Sequence, residues 1–129
     1  SDFPGRSDYA VGVEDLDRLV GQWLTLPEVA ERLGLDVGKA RRLIQDRCLV
    51  AVRRGEPKVL SVPEACLREN QPLQELRGTL TVLADSGFDD VEALHWLFTP
   101  DESLPGTPME ALRAGRKTEI RRRAQALAR

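Results

Sequence analysis

The stretch from Leu24 to Pro63 constrains this chain more than any other part of its sequence. Thr25-Leu-Pro-Glu28 is a capping-box pattern, in which the Thr25 hydroxyl accepts from the backbone N–H of Glu28 and the Glu28 carboxylate reaches back to Thr25. A helix is predicted from there, with Leu26, Val29, Ala30 and Leu33 on one apolar stripe and Gly34 as its left-handed stop. Asp36 is the natural N-cap of a second helix. Its predicted inward positions are Val37, Ala40, Leu43 and Ile44, which leaves Gly38, Lys39, Arg41, Arg42 and Gln45 facing outward. The period then shortens: Val50, Val52, Val59, Leu60 and Val62 are β-formers flanking the turn residues Arg53-Arg-Gly-Glu-Pro-Lys58, which predicts a two-stranded hairpin.

Two short amphipathic helices joined at a Gly, with a basic hairpin behind them, follow the order of parts in a winged helix-turn-helix. That scaffold sets its second helix in the DNA major groove. The formal net charge of −2 argues against DNA only until it is divided along the chain. Residues 1–35 carry −4, 36–58 carry +4, 59–112 carry −8 and 113–129 carry +6. Phosphate binding depends on a local basic face rather than on the total. The second helix and the hairpin form such an island.

The rest of the chain reads as helices. Residues 1–12 have Pro, Gly and scattered charge without a period, and are expected to form a flexible arm. Val13, Leu16, Leu19, Val20 and Trp23 have helical spacing, so a leading helix or turn is predicted up to Trp23. A short helix start is predicted at Pro63–Arg68, and a longer helix from Pro72 to the Ser86-Gly87 stop. Asp89 caps a helix ending at Phe98, Thr107-Pro108 opens one that runs to Ala114, and Lys117 to Ala128 form a basic last helix. The predicted fold is mainly α with a small β-hairpin. Its divisions are an arm at 1–12, a winged helix-turn-helix at 13–69 and a helical C-terminal domain at 70–129.

Long cationic and amide side chains on a helix in the major groove reach guanine O6/N7 and adenine N6/N7. The residues expected to touch DNA are therefore Lys39, Arg41, Arg42 and Gln45 from helix 36–46, with Arg53, Arg54 and Lys58 of the 50–62 wing on phosphates or the adjoining minor groove. A charge run is more often a plain solvated face, but here a basic wing tip follows the helix directly. Arg116, Lys117, Arg121, Arg122 and Arg123 make a second basic patch, which either follows DNA backbone or pairs with the acidic 59–112 stretch. Arg113, near a helix end, suits the helix dipole.

Other chemistries find little support. Cys48, Cys66 and His95 lack the close Cys/His pairs of a zinc site, so core thiols, a structural His, no metal and no cofactor are expected. Trp96, Leu97 and Phe98 read as core filling. No nucleophile motif or Gly-rich phosphate loop is present, and an enzyme is not expected. No apolar run approaches the roughly 18 residues of a membrane span. With no secretory signal pattern and only two cysteines, a cytoplasmic location is expected.

Residues 24–65 resemble the winged helix-turn-helix of the excisionase and MerR-type superfamily, through Thr25-Leu-Pro-Glu-Val-Ala, Val37 to Ile44 and Leu49-Val-Ala-Val-Arg-Arg-Gly55. The whole chain from Leu24 to Ala128 resembles a family of small actinobacterial DNA-binding proteins. Leu80-Thr-Val-Leu-Ala-Asp-Ser-Gly-Phe-Asp-Asp, Trp96-Leu-Phe-Thr-Pro-Asp-Glu-Ser-Leu and Arg121-Arg-Arg-Ala-Gln-Ala-Leu-Ala carry that likeness. It implies a winged helix-turn-helix with a helical C-terminal domain, cytoplasmic binding of double-stranded DNA and no catalysis; a transcriptional regulator is the function expected of such a chain. The family's mycobacterial member is a serine/threonine-kinase substrate, which implies a kinase partner, but kinase regulation does not transfer easily to an arm with only Ser1 and Ser7 as hydroxyl acceptors. Trp96 to Gly115 is also similar to the toxin-binding segment of Xre/MbcA/ParS antitoxins. That likeness implies an alternative, a protein-interaction module whose residues 70–129 bind a partner or self-associate. Helix–loop–helix packing with Leu104, Ala111 and Leu112 as core explains the same segment.

Overall fold

The structure is a computed structural model that describes residues 15–127. The expected arm, with Ser1 and Ser7, lies outside these residues, as does Val13 of the leading helix.

Helix α1 occupies residues 15–20 and buries Leu16 completely. It ends at Gly21, which takes φ +81°, and the chain then runs extended as β1 (Trp23–Thr25). This corrects the helical reading of Trp23. Thr25 is the N-cap of the next helix at φ −74° and ψ 166°, and an N-cap needs extended backbone, so the residues before it pair as a strand instead. The cap is the predicted box, with both halves made, and it opens α2 (Leu26–Leu33), which stops at Gly34 with φ +70°. Asp36 caps α3 (Val37–Gln45).

The hairpin consists of β2 (Val52–Arg54) and β3 (Val59–Pro63), joined through residues 55–58. Strand β1 adds to β3 on its other side, giving an antiparallel sheet in the order β1-β3-β2, with Trp23 opposite Pro63 and Val52 opposite Ser61. The short helix expected at 63–68 is a single 3-10 turn (Glu64–Cys66) that leads into β4 (Leu67–Arg68). β4 pairs with β5 (Gln71–Pro72), so Pro72 lies in a ribbon and not at a helix start. The Leu73 N–H donates to the Cys66 carbonyl at 2.8 Å and closes this ribbon, which delays α4 to Leu76–Asp85. A proline without an N–H suits a two-stranded edge as well as a first helical turn.

The remaining helices fall where their caps predict. α5 (Asp90–Leu97) opens on an Asp89–Glu92 capping box, and α6 (Pro108–Arg113) on a Thr107–Glu110 box. α7 (Lys117–Gln125) ends in a turn at residues 126–127, short of the expected Ala128, which lies outside the described residues; it packs along α4, where Gly78 leaves the space that the Arg121 guanidinium occupies. Leu97 and Phe98 are buried and Trp96 is half-buried against the same core. One continuous apolar cluster runs from Leu16 through Val29, Ala40, Val62, Leu76 and Leu94 to Ala124. It holds the α2–α3 pair, the sheet and the later helices together.

Candidate nucleic-acid interface

Helix α3 is fixed from both ends and from beneath. The Asp36 carboxylate accepts from the Lys39 N–H at 2.8 Å, satisfying a first-turn donor that no helical carbonyl can reach. The Arg77 Nε of α4 donates to the Asp46 carbonyl at 3.1 Å, bracing the other end. Ala40 is fully buried, and Leu43 and Ile44 are half-buried against the core. Val37 is not inward as its spacing suggests, because burial on α3 begins only at Ala40, and Val37 stays 41% exposed.

The opposite face carries Lys39, Arg41, Arg42 and Gln45, all exposed. Among the described residues, no side-chain hydrogen bond or ion pair engages any of the four. Arg53 and Lys58 of the hairpin are likewise exposed and unengaged among those residues, and Gly55 at φ +90° makes the turn between them. Six of the seven residues expected to touch DNA therefore present their polar ends to solvent.

Arg54 is the exception. Successive strand residues point to opposite sides, so Arg53 faces out while Arg54 turns back toward the sheet's neighbours. Its Nε donates to Asp17 of α1 at 2.5 Å, and its guanidinium carbon sits 4.8 Å from the centre of the Trp23 ring. The side chain braces the wing against β1 and α1.

The C-terminal patch is divided in the same way. Arg116 and Arg123 both bond the Glu119 carboxylate, and Arg123 also reaches Ser103 and, at 3.8 Å, Asp101. Hydrogen bonds from Arg116 and then Arg123 hold the Glu119 carboxyl below its usual range. The Asp101 carboxyl is lowered chiefly by the hydroxyl and backbone N–H of Ser103, with Arg123 adding to this. Arg121 lies against Gly78, leaving Lys117 and Arg122 exposed and unengaged among the described residues.

Several arginines outside the predicted DNA-facing set are clamps. Arg32 bonds Glu64 and the Glu69 carbonyl, and Arg68 bonds the Arg113 carbonyl. Arg113, expected at a helix dipole, donates at 2.8 Å to the carbonyls of both Ala65 and Leu67. Each joins segments at least 32 residues apart, and no local pattern encodes such partners. Arg47, left-handed at φ +63°, sits just after α3, and its charge opposes the rise that burial and then Asp89 impose on the Asp90 carboxyl.

Among the described residues no group of three or more His, Cys, Asp or Glu side chains is placed to hold a metal ion. Cys48 is half-buried, while Cys66 is fully buried and its thiol is pushed up to about 12 by desolvation. The His95 Nε2 lies 4.0 Å from Asp15. No helix among the described residues is long and apolar enough to cross a membrane.

A capped helix pair turning at Gly34, followed by a hairpin that a third strand completes, defines a winged helix-turn-helix protein. The chain belongs to the Rv2175c family: residues 14–67 match the profile described as "DNA-binding protein Rv2175c, wHTH domain", and residues 73–128 match "Rv2175c C-terminal domain of unknown function". It is 40% identical to the DNA-binding protein Rv2175c of Mycobacterium tuberculosis (strain ATCC 25618 / H37Rv), over 80% of this chain and 78% of that relative. Its fold matches the NMR structure of Rv2175c with a TM-score of 0.76 at 37% identity, covering 84% of this chain and 82% of that one.

Proposed function

We propose that this chain is a non-enzymatic, cytoplasmic DNA-binding protein that regulates transcription, with α3 in the major groove and the β2–β3 wing on the neighbouring backbone. One contrast carries the reading. Lys39, Arg41, Arg42, Arg53 and Lys58 form one continuous set with no carboxylate partner among the described residues, whereas Arg54 is held by one and the C-terminal patch is broken up, with Arg116 and Arg123 held by carboxylates and Lys117 and Arg122 left exposed. Unpaired cations on a rigid, capped helix are available to phosphates and base edges without first breaking an internal ion pair. The name of the mycobacterial relative supports the same assignment.

The antitoxin-like alternative is less well supported. In the segment from Trp96 to Gly115, Leu97, Phe98, Leu104, Met109, Ala111 and Leu112 are all buried in the chain's own core. That accounts for the segment's pattern without a partner.

A mobility shift at low salt tests the proposal. Wild-type chain should retard duplex DNA, and the Arg41→Ala/Arg42→Ala/Arg53→Ala variant should not. Equal retardation by both would contradict it.

A further inference from the structure

Val37 and Val59 are the large apolar side chains that stay exposed among the described residues, at 41% and 40%. Val37 is the first residue of α3, directly after the capping Asp36. The core side of this helix is marked by Ala40, Leu43 and Ile44, and at 100° per residue Val37 falls at the edge of that side, between Ile44 (about 20° away) and Arg41 (about 40° away). An apolar side chain thus stands at the leading end of the row of unpaired cations.

Its neighbour Gly38 has no need of glycine's special backbone freedom, since its φ is not positive. A Cβ there would meet the Asp36 Oδ1 at 3.3 Å, the oxygen that caps the Lys39 N–H, and nothing else within 4 Å. Glycine within a helix is otherwise unfavourable relative to alanine. Gly38 lies at the middle of the outward face, so its missing side chain leaves Val37 standing clear and the helix backbone open to close approach.

Recognition helices reach base edges with their N-terminal residues, and thymine alone among the bases offers a methyl group in the major groove, which apolar side chains recognise. We infer that Val37, beside the gap at Gly38, reads the 5-methyl group of a thymine. This rests on the proposed docking of α3. The contact adds a choice of base to the affinity that phosphate contacts supply.

The test begins by selecting preferred duplexes from a random pool with the full chain, then replaces each thymine of the selected site by uracil, which removes only the methyl. One replacement should weaken wild-type binding about fourfold, the effect of burying one methyl group. Val37→Ala should bind the thymine and uracil duplexes equally, and its urea midpoint should match wild type, since the side chain is exposed. Indifference of the wild type to every replacement, a fourfold loss that persists in Val37→Ala, or binding without any sequence preference would each overturn the inference while leaving DNA binding in place. Failure to bind any duplex would instead remove the docking on which it rests.

Discussion

The guanidinium of Arg54 lies over the indole of Trp23, 4.8 Å from the ring centre, and binds Asp17 from the same position. The wing is therefore fastened to the body of the protein through one member of an arginine pair, while the other, Arg53, is left exposed on the outer side. Adjacent residues of the same type have opposite tasks because a strand alternates its faces.

Removing Arg54 should be felt as a loss of stability. A cation–π interaction near the surface contributes about 0.5–1 kcal/mol and a partly exposed ion pair about 0–1 kcal/mol. Arg54→Ala should therefore lower the unfolding free energy by about 1 kcal/mol in urea denaturation, and Arg53→Ala should change it by less than about 0.5 kcal/mol. The reverse order would show that the wing is not braced through Arg54.

Asp36 should matter to α3 through its acceptor oxygen rather than its charge. Asp36→Ala leaves the Lys39 N–H without its partner and should cost about 1 kcal/mol. Asp36→Asn keeps an acceptor and should retain most of that stability. Equal losses in the two variants would mean that charge, not capping, is what Asp36 provides.

The two thiols should respond differently to reagents and to pH. At neutral pH an alkylating reagent should modify Cys48 in the native chain and reach Cys66 only on unfolding. The Cys66 thiol titrates near 12 when folded against 9.0 without that burial, so between these values the unfolded chain has lost a proton that the native chain keeps. Stability should accordingly fall as pH rises above about 9, by about a kcal/mol per pH unit from this group. Comparison with Cys66→Ala isolates the contribution, and identical alkaline profiles for the two proteins would contradict it.

Glu119 should act as a restraint on the C-terminal patch. Glu119→Gln removes the charge that pairs with Arg116 and Arg123, leaves Arg123 its Ser103 and Asp101 partners and keeps Ile120 and Ala124 in the core, so the denaturation midpoint should hardly move. Affinity for DNA and its salt dependence should stay close to wild type, because α3 and the wing, and not this face, meet the phosphates. Stronger and more salt-dependent binding would show that this face meets DNA as well.

Much of this arrangement was legible in the sequence because it is encoded locally. The capping box at Thr25–Glu28, the helix start at Thr107-Pro108, the Gly34 stop and the basic face of α3 all lie within one or two turns. What escaped depends on distant partners. Trp23 is a strand residue because Pro63 lies opposite it, and Pro72 sits in a ribbon because Leu67 does. Charge type alone could not separate Arg41 from Arg54, since the difference is made by Asp17, 37 residues away from Arg54. The exposed Val37 was hidden by a helical period that does not register where the packing surface begins.

The dependence of DNA affinity on salt tests the central claim most directly. Each phosphate interaction removed should reduce the slope of log affinity against log salt by about 0.9. The Arg41→Ala/Arg42→Ala variant should bind at least about tenfold more weakly and flatten the slope by one to two such interactions, while Lys117→Ala/Arg122→Ala should leave both close to wild type. An unchanged slope in the α3 variant, or a larger loss of affinity from the C-terminal pair, would contradict the assignment of α3 as the helix that meets DNA.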